Sequence, residues 1–129
     1  MNAQRTTMHS DRAPAPVGPY SQAVASGGML FVSGQLGMDP ASGELASGVD
    51  EQTRLALKNL VAILQDAGSS PEQVVKTTCF LADMDHLPQF NAIYGAVFST
   101  DPPARSCIAV KTLPKQALVE VEAIALTSQ

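Results

Sequence analysis

Hydrophobic and polar positions along this chain follow two different periods, which predict short strands and two amphipathic helices. Residues 20–34 have the pattern of a β-hairpin, and the Gly27–Gly28 pair supplies the turn because glycine readily adopts positive φ. Residues 1–13 are polar and show neither period. The sequence therefore predicts a flexible N-terminal tail over residues 1–13 and a single domain over residues 14–129.

Two segments carry the apolar spacing of an amphipathic helix. In the first, apolar residues fall at i, i+3, i+4 and i+7 from Leu57 to Leu64. This helix is predicted to begin near Val49 or Asp50 and to end before Gly68, since glycine is a typical C-terminal cap. The second helix has its buried face predicted at Phe90, Ile93, Tyr94, Val97 and Phe98.

Residues 74–82 are short and rich in β-branched residues, which predicts a strand, and two more strands are predicted after Pro102 and Pro103, at residues 105–110 and 118–126. With the hairpin and the helices, the order along the chain becomes β-β-α-β-α-β-β. Two helices and five or six strands in this order predict an α+β fold in which both helices pack on one face of a sheet.

The composition narrows the class of protein. A length of 129 residues is typical of one domain, and a net charge of −4 with no run of Lys or Arg argues against nucleic-acid binding. Charged residues make up only 16%, which favours an oligomer because more apolar surface must be covered. Two cysteines do not make a disulfide framework, and no segment has the pattern of a leader peptide or a membrane span, so we predict a soluble cytoplasmic protein.

The strand that begins at Arg105 contains an unusual combination of residues. Its period of two places Arg105 and Cys107 on one face of an otherwise apolar strand. In the last strand, Glu120 and Glu122 share one face, and the opposite face is small and apolar. A charge in a segment suited to burial is costly unless it is paired, so these residues need an explanation.

Two interpretations of these charges remain open at the level of sequence. In the structural interpretation, Arg105 and Glu120 pair with each other or lie at exposed strand ends. In the functional interpretation they line a pocket, where the arginine fork binds a substrate carboxylate and the glutamate transfers protons. The neighbouring Glu122 would then raise the pKa of a general acid or base.

Other candidate chemistry is weaker. His9 lies in the tail and His86 at the start of a helix, so a Cys–His dyad is not expected, and the histidines and cysteines lack metal-ligand spacing. We therefore predict no metal site. The glycine-containing segments match no nucleotide-binding pattern. Tyr20 follows Gly18 and Pro19 in a turn, where a tyrosine is either a packing anchor or a catalytic group.

Six segments of the chain, taken in order, resemble the RidA family, which is also called YjgF/YER057c/UK114. They are GPYSQAV, FVSGQLGMDPASGE, VVKTTCFLADM, FNAIY, PPARSCIAV and VEVEAIA, and they span nearly all of the chain after the first dozen residues. PPARS together with VEVEAIA is a specific combination, whereas either alone is weak. The resemblance implies a chorismate-mutase-like α+β fold, with a mixed sheet of about six strands, and a homotrimer with pockets between subunits.

The resemblance also implies an activity, the cofactor-independent hydrolysis of reactive 2-enamino and 2-imino acids to 2-oxo acids and ammonia. Such substrates include 2-aminoacrylate, 2-iminopropanoate and 2-iminobutanoate, which pyridoxal-phosphate enzymes release and which can damage those enzymes. Arg105 matches the family arginine that holds the substrate carboxylate, and Glu120 matches the glutamate that positions or activates water. Cys107 matches a pocket-lining position, and the other substrate-binding positions are matched by Tyr20, Ser33, Gly34 and Asn91.

Other functions described for this family stay open as alternatives. They are an endoribonuclease that inhibits translation, a small-ligand sensor and a chaperone-like protein. The acidic composition argues against the nuclease, because single-stranded nucleic acid is bound by basic and aromatic surface. Glu120 favours an enzyme over a sensor, since a sensor needs the carboxylate clamp but no residue that activates water. The sequence does not identify the side chain of the preferred imino acid.

Overall fold

The computed structural model describes residues 4–127, which form one mixed sheet of six strands with two helices packed against it. In chain order the strands are β1 (Thr6–Met8), β2 (Ala23–Ser26), β3 (Met29–Leu36), β4 (Val74–Leu81), β5 (Ala104–Ala109) and β6 (Val119–Leu126), and the helices are α1 (Gly48–Asp66) and α2 (Leu87–Val97). The strands lie in the order β1-β2-β3-β6-β4-β5, and only β4 and β5 pair in parallel. The predicted α+β fold is confirmed.

The helices cover the face of the sheet that side-chain alternation makes apolar. In β6 the buried side chains are Val119, Val121, Ala123 and Ala125, at a period of two. From α1 the largest buried side chains are Leu57, Leu60, Ile63 and Leu64, at helical spacing. The glycine after this helix, Gly68, has a φ of +82°, as the prediction of a C-terminal cap requires. No helix within residues 4–127 has the length and apolar character that crossing a bilayer requires.

The N-terminal segment differs from the expected flexible tail. Thr6–Met8 forms an edge strand that pairs antiparallel with β2, and Ala13 is buried in the core. Between them, the backbone N–H of Ser10 donates to the side-chain oxygen of Gln22 at 2.6 Å. A strand of three residues is too short to show an apolar alternation, so the pattern of the sequence did not reveal it. Residues 1–3 of the predicted tail lie outside the described residues.

A β-bulge interrupts β3 in the middle of the sheet. Val32 pairs with Ala123 and Gln35 pairs with Val121, so Ser33 and Gly34 together face one residue of β6. Because of the extra residue, both Val32 and Gln35 are buried although they are three positions apart. The bulge therefore places Gly34 beside the outer face of β6.

Candidate functional site

Strand register determines the face of the sheet to which each candidate residue belongs. Arg105 is opposite Thr77 in β4, and Cys107 is opposite Cys79, whose side chain is fully buried under the helices. Arg105 and Cys107 therefore share the helix-covered face, as their spacing predicted. β5 is the last strand of the sheet, so Arg105 lies at the border of this face and stays exposed.

The guanidinium of Arg105 lies against one turn of α2. Its Nη1 donates a hydrogen bond to the side-chain oxygen of Asn91 at 2.9 Å. Its central carbon is 4.8 Å from the centre of the Tyr94 ring and 6.0 Å from the centre of the Phe90 ring, within cation–π range. Within residues 4–127 no carboxylate forms an ion pair with Arg105. The positive charge is thus positioned by neutral groups and available for an anion.

Cys107 is half-buried on the same face as Arg105, two residues further along β5. Burial raises the pKa of its thiol, and the nearby Arg105 charge opposes this only in part. Across the strand pair, burial raises the pKa of Cys79 to about 12. Both thiols are therefore protonated at neutral pH, which suits a pocket wall better than a nucleophile.

Glu120 lies on the opposite face of the sheet. It pairs with Phe80 of β4, one position away from the buried Val119 and Val121, and it is half-buried. Burial raises the pKa of the Glu120 carboxyl, and the like charge of Glu122 raises it further. A carboxyl with a raised pKa is suited to exchanging protons near neutral pH.

Gly34, in the bulge of β3, leaves space that the Glu120 carboxylate occupies. A Cβ atom added at Gly34 would overlap the carboxylate oxygen Oε2 of Glu120 and lie 2.7 Å from its Cδ. The adjacent Ser33 donates its hydroxyl to the backbone carbonyl of Ser21 at 2.6 Å. The bulge, Glu120 and the loop before β2 thus form one connected group.

Tyr20 belongs to that loop and is 51% exposed. Its hydroxyl accepts a hydrogen bond from the backbone N–H of Val17 at 3.4 Å, and its ring is 3.6 Å from the position that a Cβ of Gly18 would take. The side chain is therefore held by its own turn rather than by the core, and its ring remains accessible. This location fits a contact residue better than the alternative of a buried packing anchor.

The candidate residues thus form two groups on opposite faces of the sheet. We call Asn91, Arg105 and Cys107 the arginine group, and Tyr20, Ser33, Gly34 and Glu120 the glutamate group. Gly34 lies against Glu120, Ser33 is bonded to Ser21 next to Tyr20, and Arg105 is bonded to Asn91, whereas no contact joins the two groups within residues 4–127. The structural interpretation in which Arg105 and Glu120 pair with each other is therefore wrong for a single chain.

Three residues beside Arg105 were not singled out as site residues from the sequence. Phe90 and Tyr94 were assigned only to the buried face of α2, and Thr77 only to a strand. The spacing of Phe90, Asn91 and Tyr94 does contain a signal, because Tyr94 follows Phe90 by four positions and Asn91 by three, and side chains at these spacings adjoin on a helix surface. This signal indicates a site only when the register of β5 on β4 is known, because that register brings Arg105 to the same surface.

A groove of about 650 Å³ between α1 and α2 lies away from both groups. Its lining is mostly apolar, and two of its cations are already paired, Arg12 with Asp66 and Arg54 with Glu51. It contains no acid–base pair, so its size alone does not make it the candidate site. Within residues 4–127 no cluster of His, Cys, Asp and Glu is arranged to hold a metal ion.

Comparisons with known proteins identify relatives in sequence and neighbours in fold. The family model described as Endoribonuclease L-PSP matches residues 10–127. The 2-iminobutanoate/2-iminopropanoate deaminase of Homo sapiens is 45% identical over 123 residues, covering 95% of this chain and 90% of the human protein. The crystal structure of RidA from an Antarctic Psychrobacter has a TM-score of 0.92 at 40% identity, covering 94% of this chain and 98% of that one. E. coli TdcF with bound serine has a TM-score of 0.91 at 39% identity, covering 95% and 99%.

Proposed function

Because this chain belongs to the RidA family, whose model is described as Endoribonuclease L-PSP, we propose that it is a deaminase that hydrolyses 2-imino and 2-enamino acids to 2-oxo acids and ammonia. The name of the human relative supports this reaction. The serine bound to TdcF supports a site for a small molecule that carries a carboxylate. The substrates we propose are 2-iminopropanoate and 2-iminobutanoate with their enamine tautomers.

The observation that carries the proposal is the environment of Arg105. Its guanidinium contacts a neutral amide and two aromatic rings, and no carboxylate neutralises it within the described chain. Arginine binds a carboxylate through two parallel hydrogen bonds from its planar fork. Arg105 is therefore the proposed clamp for the substrate carboxylate, and Asn91 fixes the orientation of the clamp.

The chemistry requires a water molecule and a group that moves protons. A proton from solvent first adds to C3 and converts an enamine to the iminium form. Water then adds to C2 of the iminium while Glu120 takes a proton from it, giving a carbinolamine. Glu120 returns that proton to the amino nitrogen, the C–N bond breaks with its electron pair on nitrogen, and the hydroxyl proton passes to the departing ammonia. The products are a 2-oxo acid and ammonium, and the raised pKa of Glu120 suits both transfers.

We propose that the complete site forms between two copies of the chain. Arg105 and Glu120 lie on opposite faces of the sheet in one chain, so the arginine group of one copy has to meet the glutamate group of another. The partner would cover open-face apolar side chains such as Phe31 and Ile108, each 47% exposed. This arrangement agrees with the homotrimer that the family resemblance implies.

The activity is tested by generating 2-iminobutanoate in a coupled assay and timing the release of 2-oxobutanoate. Arg105→Ala is expected to lower kcat/KM by about 30- to 5000-fold, equivalent to roughly 2–5 kcal/mol for a lost charge-assisted contact. Arg105→Lys is also expected to lose most of its kcat/KM, since the point charge of lysine does not reproduce the planar fork of arginine. Arg54→Ala, which removes another exposed arginine, is the matched control. Persistent activity of Arg105→Ala with a sharply lower Tm would show that Arg105 is structural.

Mixing two inactive variants tests whether the site is shared between copies. Arg105→Ala chains keep the glutamate group, and Glu120→Gln chains keep the arginine group. After unfolding and refolding an equal mixture, about one quarter of the sites of a trimer combine both intact groups, so activity should return. Each variant refolded alone is the control. If the mixture stays as inactive as its components, both groups act within one chain.

A second function is ligand binding without turnover, which the serine-bound neighbour favours. A sensor of this kind would use the arginine group and would not need Glu120. Glu120→Gln separates the two functions: a deaminase loses turnover and keeps affinity for 2-oxobutanoate. A sensor shows no imine hydrolysis above the uncatalysed rate even in the unmodified protein.

A further inference from the structure

We infer that Tyr94 is a positioning residue for Arg105 and that Thr77 holds the Tyr94 ring in place. The inference rests on the proposed function, in which Arg105 binds the substrate carboxylate. It adds the contacts that support Arg105. The buried hydroxyl groups of Thr77 and Tyr94 fix the Tyr94 ring, and that ring fixes the Arg105 guanidinium.

The first step is the helix turn that faces Arg105. Phe90, Asn91 and Tyr94 lie within one turn of α2 and reach the same guanidinium. Asn91 accepts a hydrogen bond from Nη1, in the plane of the guanidinium, whereas the ring of Tyr94 is 4.8 Å from its central carbon. The remaining N–H groups of the fork are therefore left for a ligand.

The second step is the support of the ring itself. The Tyr94 hydroxyl and the Thr77 Oγ1 are 2.7 Å apart, and both residues are buried. Burial raises the pKa of the Tyr94 phenol, so it stays protonated and can keep this hydrogen bond. Thr77 is the register partner of Arg105 in the neighbouring strand. The ring is thus fastened to the strand pair that carries the guanidinium it supports.

The third step is the consequence for binding. Arginine has a long side chain, and ordering it when a ligand binds costs rotamer entropy. A guanidinium already held by a ring and an amide loses less freedom, so the free protein is prepared for the carboxylate. The carboxylate is bound in the substrate and in the transition state alike. Weaker support therefore raises KM and leaves kcat nearly unchanged.

The experiment compares Tyr94→Leu, Tyr94→Phe and Thr77→Val with the unmodified protein. Tyr94→Leu removes the ring and is expected to raise KM and the Kd for 2-oxobutanoate about three- to tenfold, with kcat within about twofold. Tyr94→Phe keeps the ring without its hydroxyl, and Thr77→Val keeps the shape of the side chain without its hydroxyl. Both should give the same smaller rise, because each breaks the same hydrogen bond. Phe98→Leu is the matched control. The centre of the Phe98 ring is 4.7 Å from the centre of the Tyr94 ring, and Phe98 makes no cation–π contact with Arg105.

A spectroscopic readout makes the test independent of turnover. The Nε–H resonance of Arg105, assigned by its loss in Arg105→Lys, should be shifted by the ring current of Tyr94. Tyr94→Leu should return it toward the position of a solvent-exposed arginine, and Phe98→Leu should leave it in place. An Arg105 resonance unchanged in Tyr94→Leu overturns the inference, and so does an equal rise of KM in Phe98→Leu.

The design separates failure of the inference from failure of the proposed function. If Arg105→Ala binds 2-oxobutanoate as tightly as the unmodified protein does, the proposed role of Arg105 in binding the carboxylate is wrong, and this holds for any result with the Tyr94 variants. If Arg105→Ala loses binding and Tyr94→Leu keeps it, the clamp stands and the role of Tyr94 is refuted. If Tyr94→Leu does not fold, Tyr94→Phe and Thr77→Val test the inference instead. The role of Tyr94 is refuted if both variants keep the KM and the Arg105 resonance of the unmodified protein.

Discussion

At the scale of single residues, the Glu120 carboxyl is subject to two opposing requirements: the stability of the folded chain favours its neutral form, and catalysis needs its ionised form. Burial raises its pKa above 4.5, the ordinary value, and Glu122 adds to the shift. The folded chain therefore holds this proton to higher pH than the unfolded chain does. The free energy of unfolding falls as pH rises from about 4.5 through the raised pKa, and above that it stays lower. Ionised Glu120 thus costs stability in exchange for a base.

Glu120→Gln should relieve this cost and abolish turnover. At pH 7 its Tm is expected to lie about 1–3 °C above that of the unmodified protein, and at pH 4 the two should coincide, because both side chains are then uncharged. Thermal unfolding monitored at pH 4, 5.5 and 7 tests this. A variant whose Tm is lower at every pH would show that the carboxylate makes a stabilising contact.

The like charge of Glu122 gives a separate prediction for the pH dependence of activity. The base must be ionised, so kcat/KM should rise with pH through the raised pKa of Glu120, above 4.5. Glu122→Gln removes the second cause of the shift, and the acidic limb should move to lower pH while the maximum rate is kept. The pH–rate profiles of the two proteins are compared. Superimposable acidic limbs would exclude electrostatic coupling between the two carboxyls.

Cys107 should contribute shape rather than reactivity. Its raised pKa leaves little thiolate at neutral pH. Cys107→Ser is therefore expected to keep kcat/KM within about threefold of the unmodified value, as is usual for a nearly isosteric exchange. The coupled deaminase assay measures this. A loss as large as that of Arg105→Ala, in a folded variant, would favour a covalent intermediate on sulfur.

At the scale of elements, the bulge of β3 makes room for Glu120. In Gly34→Ala the new methyl group would take the place of the carboxylate, which has to turn away. We expect kcat/KM to fall at least about tenfold while Tm changes by less than about 4 °C, since a flexible side chain yields rather than the backbone. Gly95→Ala in α2 is the control, because nothing lies within 4 Å of its added Cβ. Full activity of Gly34→Ala would contradict the role of the bulge.

The sequence predicted most elements because their signals are local. The period-two alternation of β6 and the helical spacing in α1 each lie within one segment, and the shared face of Arg105 and Cys107 follows from that period. The bulge at Ser33–Gly34 and the three-residue strand β1 left no such signal. Neither did the separation of Arg105 from Glu120, because it depends on how β5 and β6 both register on β4. Tyr20, Ser33, Gly34 and Asn91 were candidates only through the resemblance to the family, and neither the pattern nor the resemblance predicted the division of the candidates between two faces.

At the scale of the whole molecule, the proposed site requires assembly. We predict a homotrimer of about 40 kDa, three times the 13.5 kDa of one chain. The basis is the exposed apolar side chains of the open face and the two half-complete groups. Sedimentation equilibrium at micromolar concentration measures the mass. A stable and active species of one chain would remove the need for a second copy.

The two groups lie on opposite faces, so each chain has two different ends: a head with the arginine group and a tail with the glutamate group. A twofold axis pairs one surface patch with the same patch of the partner, so an interface that joins the arginine group of one copy to the glutamate group of the next, on a different patch, is heterologous. Such contacts either close into a ring or continue as a filament. In a closed ring every head meets a tail, so there are as many complete sites as chains. An assembly stopped at two copies would hold one complete site and leave a clamp without a base at one end and a base without a clamp at the other.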